Sequence, residues 1–283
     1  MNFRTLSLAL GLALLGAPVS TFAVHSERVD QNSFEDFSAG EVHGVEVTQD
    51  GFLRAGPRLE KWVSFQDAAI WDAIPDGKGG YFVAAGNEGK VYRVDAQGKT
   101  SVAFQAKESN VFALALDAKG NLYAGSSPDG RVYRMGGDGK AEAWFEPNQK
   151  YIWDLAWRDG KLYVGTGENG ILYRVSDKAK GEVFFDSDQK HIRTLFFDSK
   201  GRLWTGSDPD GVVFRFEKPE SSAVQRVIYK SAFKEVKSFT EDARGNVFVA
   251  TMGEDKDHPK AATATVKAPA PASPDLAATD EKS

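Results

Sequence analysis

The feature that most constrains the fold is an internal repeat of about 40 residues. A glycine opens a run resembling G-x-L-Y five times, at steps of 41, 40, 41 and 44 residues: Gly79, Gly120, Gly160, Gly201 and Gly245. Two further anchors keep this period in four of the units, a turn-closing glycine and an arginine that follows an aromatic residue. They are Gly89, Gly130, Gly170 and Gly211, and Arg93, Arg134, Arg174 and Arg215. Anchors that share one period indicate a repeated structural unit.

Each unit predicts four short β-strands, A to D. In one unit these are IWDLAW, KLYVG, ILYRV and EVFF, which are rich in β-branched and aromatic residues and separated by Gly and Asp. The apolar residues run almost continuously, so such a sheet has two apolar faces and needs a neighbour on each. The sequence therefore predicts an all-β fold, a β-propeller of four-stranded antiparallel blades.

The repeat region is predicted to cover residues 41–252, with partial units at both ends. Residues 41–65 resemble a degenerate unit, with VHGVEV, GFLRAG and WVSF in the places of strands A, B and D. The last unit ends after its strand B, NVFVATMG. We expect four complete and two partial units, which is an incomplete or truncated ring, or one interrupted by an insertion. Alternatively, the segment SFEDFS in the N-terminal region supplies a completing strand.

The segments outside the repeats have distinct compositions. Residues 1–23 predict a signal peptide, with Arg4 as the positive start, a short apolar run and small residues before a cleavage site after Ala23. The apolar run is too short to span a membrane stably. Residues 24–40 form a lead-in, and residues 253–283, rich in Ala and Pro, are expected to be a disordered or extended tail. We expect a periplasmic or secreted protein with no stable membrane span after signal cleavage.

The composition excludes several classes of site and partner. The net charge is −5, so there is no broad attraction for nucleic acid, which we do not expect as a partner. The chain has no cysteine, which excludes disulfides, zinc–thiolate sites and cysteine nucleophiles. The four histidines, His25, His43, His191 and His258, are scattered, which disfavours a histidine-rich metal site.

One segment, GTGENG at residues 165–170, matches the phosphate-binding pattern G-x-G-x-x-G. A dinucleotide loop of this type must open a helix, but the strand-like run ILYRV follows. The equivalent turns, AAGNEG, GSSPDG and GSDPDG, keep the last glycine but lose the full G-x-G-x-x-G pattern. We therefore interpret Gly165, Gly167 and Gly170 as hairpin residues, where glycine adopts a positive φ at little cost.

The runs NLYAGSSPDGRVYRM and KLYVGTGENGILYRV resemble exported bacterial propellers of the WD40/YVTN-like group and sensor-type propeller repeats. The resemblance covers about residues 41–252 and implies a binding scaffold without catalytic residues. The Trp-Asp pairs at Trp71-Asp72 and Trp153-Asp154 open strand A, whereas in WD40 repeats such a pair closes strand C. The hydrogen-bond network of WD40 repeats is therefore not carried over to this chain.

The resemblance also implies where a ligand would bind, at one mouth of the central channel near the start of each strand A. The second residue of strand A is Trp71, Phe112, Trp153, Arg193 and Lys237 in successive units, and the third is Asp72, Ala113, Asp154, Thr194 and Ser238. Trp71 and Trp153 are candidate stacking surfaces, with Asp72 and Asp154 as acceptors. Arg193, Lys237 and His191 are candidates for binding an anion or a carbohydrate acid. Alternatively, the aromatic residues pack between blades, the Asp residues cap strand ends and the cations are solvated.

Three functions are compatible with these features. The first is a non-enzymatic binding module for a protein, a glycan or a small-molecule ligand, with no cofactor. The second is an enzyme of the lactonase or lyase type, in which channel carboxylates hold Ca²⁺ or Mg²⁺. Only Asp72 and Asp154 are available at the aligned position, which is a thin ligand set, and no nucleophile–histidine pair is visible. The third is a structural role, with the tail as a spacer.

Overall fold

The structure, a computed structural model, describes residues 44–47, 52–56, 61–66 and 69–255. The predicted signal peptide, the lead-in with SFEDFS, and residues 256–283 of the predicted tail lie outside the described residues. The chain divides into two compact units, Met1–Lys61 and Trp62–Ser283. In the first unit, β1 (Val45–Val47) pairs antiparallel with β2 (Leu53–Ala55), as predicted for strands A and B of the degenerate repeat.

The second unit contains four four-stranded blades and one two-stranded blade. Blade I comprises β3 (Ile70–Pro75), β4 (Tyr81–Ala85), β5 (Lys90–Val94) and β6 (Thr100–Gln105). Blade II comprises β7 (Asn110–Leu116), β8 (Leu122–Ser127), β9 (Val132–Met135) and β10 (Ala141–Phe145). Blade III comprises β11 (Tyr151–Arg158), β12 (Lys161–Gly167), β13 (Ile171–Asp177) and β14 (Lys180–Asp186). Blade IV comprises β15 (His191–Phe197), β16 (Leu203–Asp208), β17 (Val212–Phe216) and β18 (Gln225–Lys230). Blade V comprises β19 (Phe233–Glu241) and β20 (Val247–Asp255).

Within each blade, consecutive strands pair antiparallel, so the predicted fold class is confirmed: an all-β, incomplete propeller. The described residues form no helix, and none of them belongs to a helix long and apolar enough to cross a membrane. Blades III and IV are also joined by one bridge pair, Gly167 with His191. β20 continues to Asp255, three residues into the predicted tail.

The hydrophobic core lies between the blades. One cluster joins Phe145 of blade II to Leu155 and Leu162 of blade III, and similar clusters join blades I and II and blades III and IV. Each fully buried side chain of this kind stabilises the fold by roughly 1.5–3 kcal/mol. The cluster between blades IV and V contains only three buried residues, Trp204, Val213 and Val236. As predicted, each blade covers its apolar face with the next copy.

Every strand A of the blades carries a β-bulge at its mouth end. The register with strand B shifts across the same repeat position each time, which leaves one residue unpaired. These residues are Trp71, Phe112, Trp153, Arg193 and Lys237. The residue before the bulge is fully buried in four blades, as Val111, Ile152, Ile192 and Val236. Because a bulge re-aims a side chain, it allows one residue to enter the core and the next to face the mouth.

Two local predictions are wrong in part. Gly170 has a φ of +58°, as expected for the hairpin, and β13 follows it, so no helix opens there to form a phosphate loop. Gly165 and Gly167 instead lie within β12 and have no positive φ. The segment WVSF forms no strand. Its aromatic rings pack on blade I, with Trp62 against Tyr81 and Phe65 against Tyr92.

The repeated arginines brace their own blades. All four form ion pairs within one blade: Arg93 with Asp76, Arg134 with Glu142, Arg174 with Glu182 and Arg215 with Glu217. The guanidinium of Arg134 lies 4.7 Å from the ring centre of Trp144. None of these four ion pairs joins neighbouring blades. Arg174 contacts the next blade through hydrogen bonds, since its Nη1 donates to the carbonyl of Pro219 at 2.8 Å and to that of Glu220 at 3.2 Å.

Candidate functional site

A cavity of 290 Å³ lies at the mouth end of the A strands. Six of the seven predicted site residues line it: Trp71, Asp72, Trp153, Asp154, Arg193 and Lys237. Phe112 and Thr194 complete the lining. The bulges bring the second residue of all five A strands to this one cavity, although those residues are about 40 positions apart in the chain.

The bulged residues form a continuous ladder. The ring centroids of Trp71 and Phe112 are 4.9 Å apart in an edge-to-face arrangement, and those of Phe112 and Trp153 are 5.1 Å apart and stacked. The guanidinium carbon of Arg193 lies 3.8 Å from the Trp153 ring centre. Such aromatic and cation–π contacts each contribute about 0.5–1.5 kcal/mol. The ladder therefore changes from aromatic at blade I to cationic at blade IV.

The two tryptophans predicted as stacking surfaces are not equivalent. Trp153 is stacked on both Phe112 and Tyr151, the latter at 4.8 Å, and also carries Arg193. Trp71 is 51% exposed and has only the edge contact with Phe112. Trp71 therefore offers an open ring face, whereas Trp153 supports the ladder.

A glycine at the end of strand B or directly after it accompanies each indole of the cavity. A Cβ on Gly86 would lie 2.5 Å from Nε1 of Trp71, and one on Gly167 would lie 2.5 Å from Nε1 of Trp153. The corresponding positions in blades II and IV, where the ladder residue is not Trp, are Ser127 and Asp208. Each tryptophan thus occurs with a glycine because its indole occupies the space that a side chain at the glycine position would need.

The two aspartates tie neighbouring blades together. Asp72 accepts a hydrogen bond from the N–H of Leu114 in blade II at 2.8 Å, and Asp154 accepts one from Leu195 in blade IV at 2.6 Å. The other oxygen of each accepts the N–H of the following residue, at 2.7 Å for Asp72 and 2.8 Å for Asp154. These carboxylates do more than cap strand ends, because each satisfies a backbone donor of the next blade.

The environment shifts the pKa of both carboxyl groups upward. Burial raises the pKa of Asp72, and the N–H groups of Leu114 and Ala73 offset part of this rise. Burial also raises the pKa of Asp154, to about 7, against the hydrogen bond from Leu195 and with a contribution from the charge of Asp72. Desolvation disfavours the ionised form, and a nearby like charge adds to this effect. Asp154 therefore titrates near neutral pH.

The cationic side of the cavity includes a residue that the sequence analysis missed. Glu235 accepts a hydrogen bond from Nε of Arg193 at 2.7 Å, and Nζ of Lys237 lies 3.2 Å from the same oxygen. Burial raises the pKa of Glu235, but Arg193 and Lys237 outweigh it, so the pKa is lowered. Glu235 lies two residues before Lys237 on β19. An acidic residue at this spacing from a candidate cation is the sequence signal that could have identified it.

His191, the seventh predicted residue, does not line the cavity. Its Nδ1 accepts a hydrogen bond from Nε1 of Trp153 at 3.0 Å. Burial lowers the pKa of His191, so the imidazole is neutral at pH 7 and does not supply a charge for an anion. In this structure His191 orients the Trp153 indole.

The carboxylates do not fit a Ca²⁺ or Mg²⁺ site of the lactonase or lyase type. Such ions need several oxygen ligands that are not otherwise engaged. Both oxygens of Asp72 and of Asp154 already accept backbone N–H groups. Within the described ranges, no group of three or more His, Asp or Glu residues is arranged to hold a metal ion.

Comparisons with known proteins agree on the fold. No protein-family model matches the chain, and no curated protein matches its sequence. Among solved structures, it is similar to the extracellular domain of a protein from B. thetaiotaomicron named as a hybrid two component system, with a TM-score of 0.51 and 16% identity over 64% of this chain and 26% of that chain. It is similar to a luciferin-regenerating enzyme, with a TM-score of 0.54 and 16% identity over 68% of this chain and 74% of that chain.

A third similar structure is the set of WD40 repeats of RRP9, with a TM-score of 0.51 and 17% identity over 62% of this chain and 54% of that chain. The chain thus spans 26% of the length of the B. thetaiotaomicron extracellular domain and about half of the length of RRP9's repeats. At these identities the similarity shows the fold alone, which is a WD40-like β-propeller. These structures include both an enzyme and repeat domains.

Proposed function

We propose that this protein is an exported, non-enzymatic β-propeller binding module that takes its ligand at the cavity between Trp71 and Lys237. The observation that carries the proposal is the divergence of one repeat position. The bulge recurs in all five blades, yet the residue that it presents changes from aromatic to cationic. A purely structural position has no need of such variation, whereas a binding site made from repeats requires it.

The size of the cavity favours a small ligand or the end of a larger one. Ligand pockets typically have volumes of roughly 300–1,000 Å³, and this cavity, at 290 Å³, lies at the lower limit. It combines an apolar face with convergent polar groups, which is the usual make-up of a recognition site. A small molecule, a terminal sugar of a glycan or one side chain of a protein partner has a suitable size.

A ligand screen tests this function directly. The full chain would be heated with a chemically diverse set of small molecules and glycans, because a ligand that binds only the folded state raises the Tm. We expect at least one compound to stabilise the wild type and to lose its effect in Trp71→Ala. Tyr229→Ala is the matched control, because Tyr229 is 52% exposed on β18 but does not line the cavity. Equal stabilisation of Trp71→Ala, or no stabilising compound, would contradict the proposal.

Export is a separate part of the proposal and is supported by the signal-like sequence of residues 1–23. The similarity to a domain named as extracellular is compatible with it. Expression of the full chain in a bacterial host, followed by fractionation and mass spectrometry, tests it. We expect a periplasmic or secreted protein whose first residue is Val24, and an uncleaved protein in the cytoplasm would refute this part.

A further inference from the structure

We propose that the cavity recognises a carboxylate carried on a ring with an apolar face, with the carboxylate held by Arg193 and Lys237 and the ring placed on Trp71. This inference rests on the proposed binding function and deepens it by naming the class of ligand. All three residues line the same cavity, so one ligand can reach the cationic and the aromatic side together.

Arg193 is held in the orientation that a carboxylate requires. Its guanidinium lies on the Trp153 ring, with the guanidinium carbon 3.8 Å from the ring centre, and its Nε donates to Glu235 at 2.7 Å. The side chain is only 19% exposed, so it has little conformational freedom to lose on binding. Within the described part of the chain, its two terminal nitrogens have no hydrogen-bond partner. A planar guanidinium with free terminal N–H groups matches a carboxylate in two parallel hydrogen bonds.

Lys237 adds a second cation at the same wall. Its Nζ shares one oxygen of Glu235 with Arg193, so a single carboxylate partners two positive charges. Its side chain is 42% exposed and is therefore accessible to a ligand. The cationic wall carries one unmatched positive charge, which favours an anion over a neutral ligand.

The remaining titratable groups that face the cavity set the pH at which an anion binds best. Asp72 and Asp154 also line the cavity and are negative when ionised, and His191, which contacts Trp153, is neutral. Because the pKa of Asp154 is about 7, this carboxyl is largely protonated below neutral pH. We therefore expect the affinity for an anion to rise as the pH falls from 8 to 6, while Glu235, whose pKa is lowered, stays ionised.

Trp71 determines the other end of the ligand. Its open ring face accepts either the C–H face of a sugar or an aromatic ring. The shared chemistry is a ring that bears a carboxylate, and its two sources are sugar acids and aromatic acids. Matched neutral molecules distinguish the contribution of the charge from that of the ring.

The experiment titrates the full chain with glucuronate and benzoate, and with glucose and benzyl alcohol as their neutral counterparts, by ligand-observed NMR. We expect at least one acid to bind ten-fold or more tightly than its neutral counterpart. A preference for glucuronate assigns a sugar acid, and a preference for benzoate assigns an aromatic acid. Equal binding of the acid and the neutral molecule, or no binding of either acid, overturns the inference.

Variants identify the residues responsible. Lys237→Gln is expected to weaken binding of the acid five-fold or more, and Arg193→Gln more strongly. Lys140→Gln, in the exposed turn of blade II, is the matched control and should leave the affinity unchanged. Lys237→Gln keeps the Arg193–Glu235 pair, so it remains informative if Arg193→Gln unfolds. If Lys237→Gln binds as the control does, the inference fails. If no acid binds but the ligand screen yields a Trp71-dependent compound, this inference fails while the binding function stands.

Discussion

The two ends of strand A differ in how strictly the repeats agree. At the far end, the turn to strand B contains an aspartate whose carboxylate accepts the N–H groups two and four residues later in four of the five blades. These aspartates are Asp76, Asp117, Asp198 and Asp242. At the mouth end, the bulge recurs but the residue on it differs in almost every blade. The difference indicates that the turns maintain the fold, and it is the observation on which the proposed binding site at the mouth rests.

The same two ends respond to pH in opposite directions. For the turn aspartates, hydrogen bonds outweigh burial and lower the pKa, as for Asp117 and Asp198. Their stabilising effect is present above pH 4 and is lost as the pH falls through the folded-state pKa. At the mouth, burial dominates and raises the pKa of Asp72 and Asp154. Ionisation of Asp72 and Asp154 at the mouth therefore lowers the stability of the fold, whereas ionisation of the turn aspartates raises it.

The largest expected effect is on the turns. Asp198 is enclosed and accepts hydrogen bonds from Nε1 of Trp204 at 2.8 Å and from Nε of Arg202 at 2.5 Å. Asp198→Ala leaves these donors without a partner, and we expect a loss of about 3 kcal/mol in the free energy of unfolding, measured by urea denaturation. Asp188→Ala, at an exposed bend between blades III and IV, is the control and should cost less than about 0.5 kcal/mol. Similar losses of unfolding free energy in the two variants would show that the turn aspartate has no special role in stabilising the fold.

The second-largest expected effect is a pH dependence of the folding stability, which Asp154 causes. Its folded-state pKa of about 7 lies above the value of 3.8 for a free carboxyl, so the folded state binds an extra proton between these values. The wild type should therefore lose stability relative to Asp154→Asn as the pH rises from 4 to 7, and the difference should level off above pH 8. Because Asp154 is partly exposed, we expect roughly 1–2 kcal/mol across this window. Parallel stability curves for the two proteins, recorded by thermal and urea unfolding, would show that the pKa of Asp154 is not raised.

A smaller effect tests the pairing of glycine with indole at the mouth. An alanine at Gly86 would meet Nε1 of Trp71 and displace the indole, at a cost of about 1 kcal/mol, because Trp71 is half-exposed and can move. The double variant Gly86→Ala/Trp71→Phe should recover this loss, since blade II combines Phe112 with a larger residue, Ser127. Gly137→Ala, with no neighbour within 4 Å, is the control for urea denaturation. Additive losses in the double variant would refute the pairing.

The sequence was sufficient for the fold because the repeat supplied four copies of each strand and turn. It was also sufficient to bring six site residues to one cavity, because Trp71, Trp153 and Arg193 occupy one repeat position. It did not distinguish the covered Trp153 from the exposed Trp71, since stacking with Tyr151 and Phe112 depends on side-chain orientation across blades. Nor did it predict the blade-to-blade hydrogen bonds of Asp72 and Asp154, because their partners are backbone groups, whose sequence position carries no residue-type signal.

The dependence on contacts between distant residues also explains two wrong predictions elsewhere in the fold. Gly165 and Gly167 were assigned to a turn from a motif, but the close approach of Ile192 and His191 is what leaves no room for a side chain there. WVSF has the composition of a strand, yet its register with blade I depends on hydrogen-bond partners that composition does not specify. Non-local packing decided both cases.

The central claim is that the bulged residues form a binding site that the rest of the repeat does not need. Its most direct test compares ligand affinity and the free energy of unfolding in Trp71→Ala and Asp117→Ala, with any compound that stabilises the wild type. We predict that Trp71→Ala loses ten-fold or more in affinity but less than about 1 kcal/mol in stability. We predict that Asp117→Ala loses stability while the folded fraction keeps wild-type affinity. If Trp71→Ala binds as tightly as the wild type, or if Asp117→Ala loses affinity equally, the separation of the two ends is contradicted.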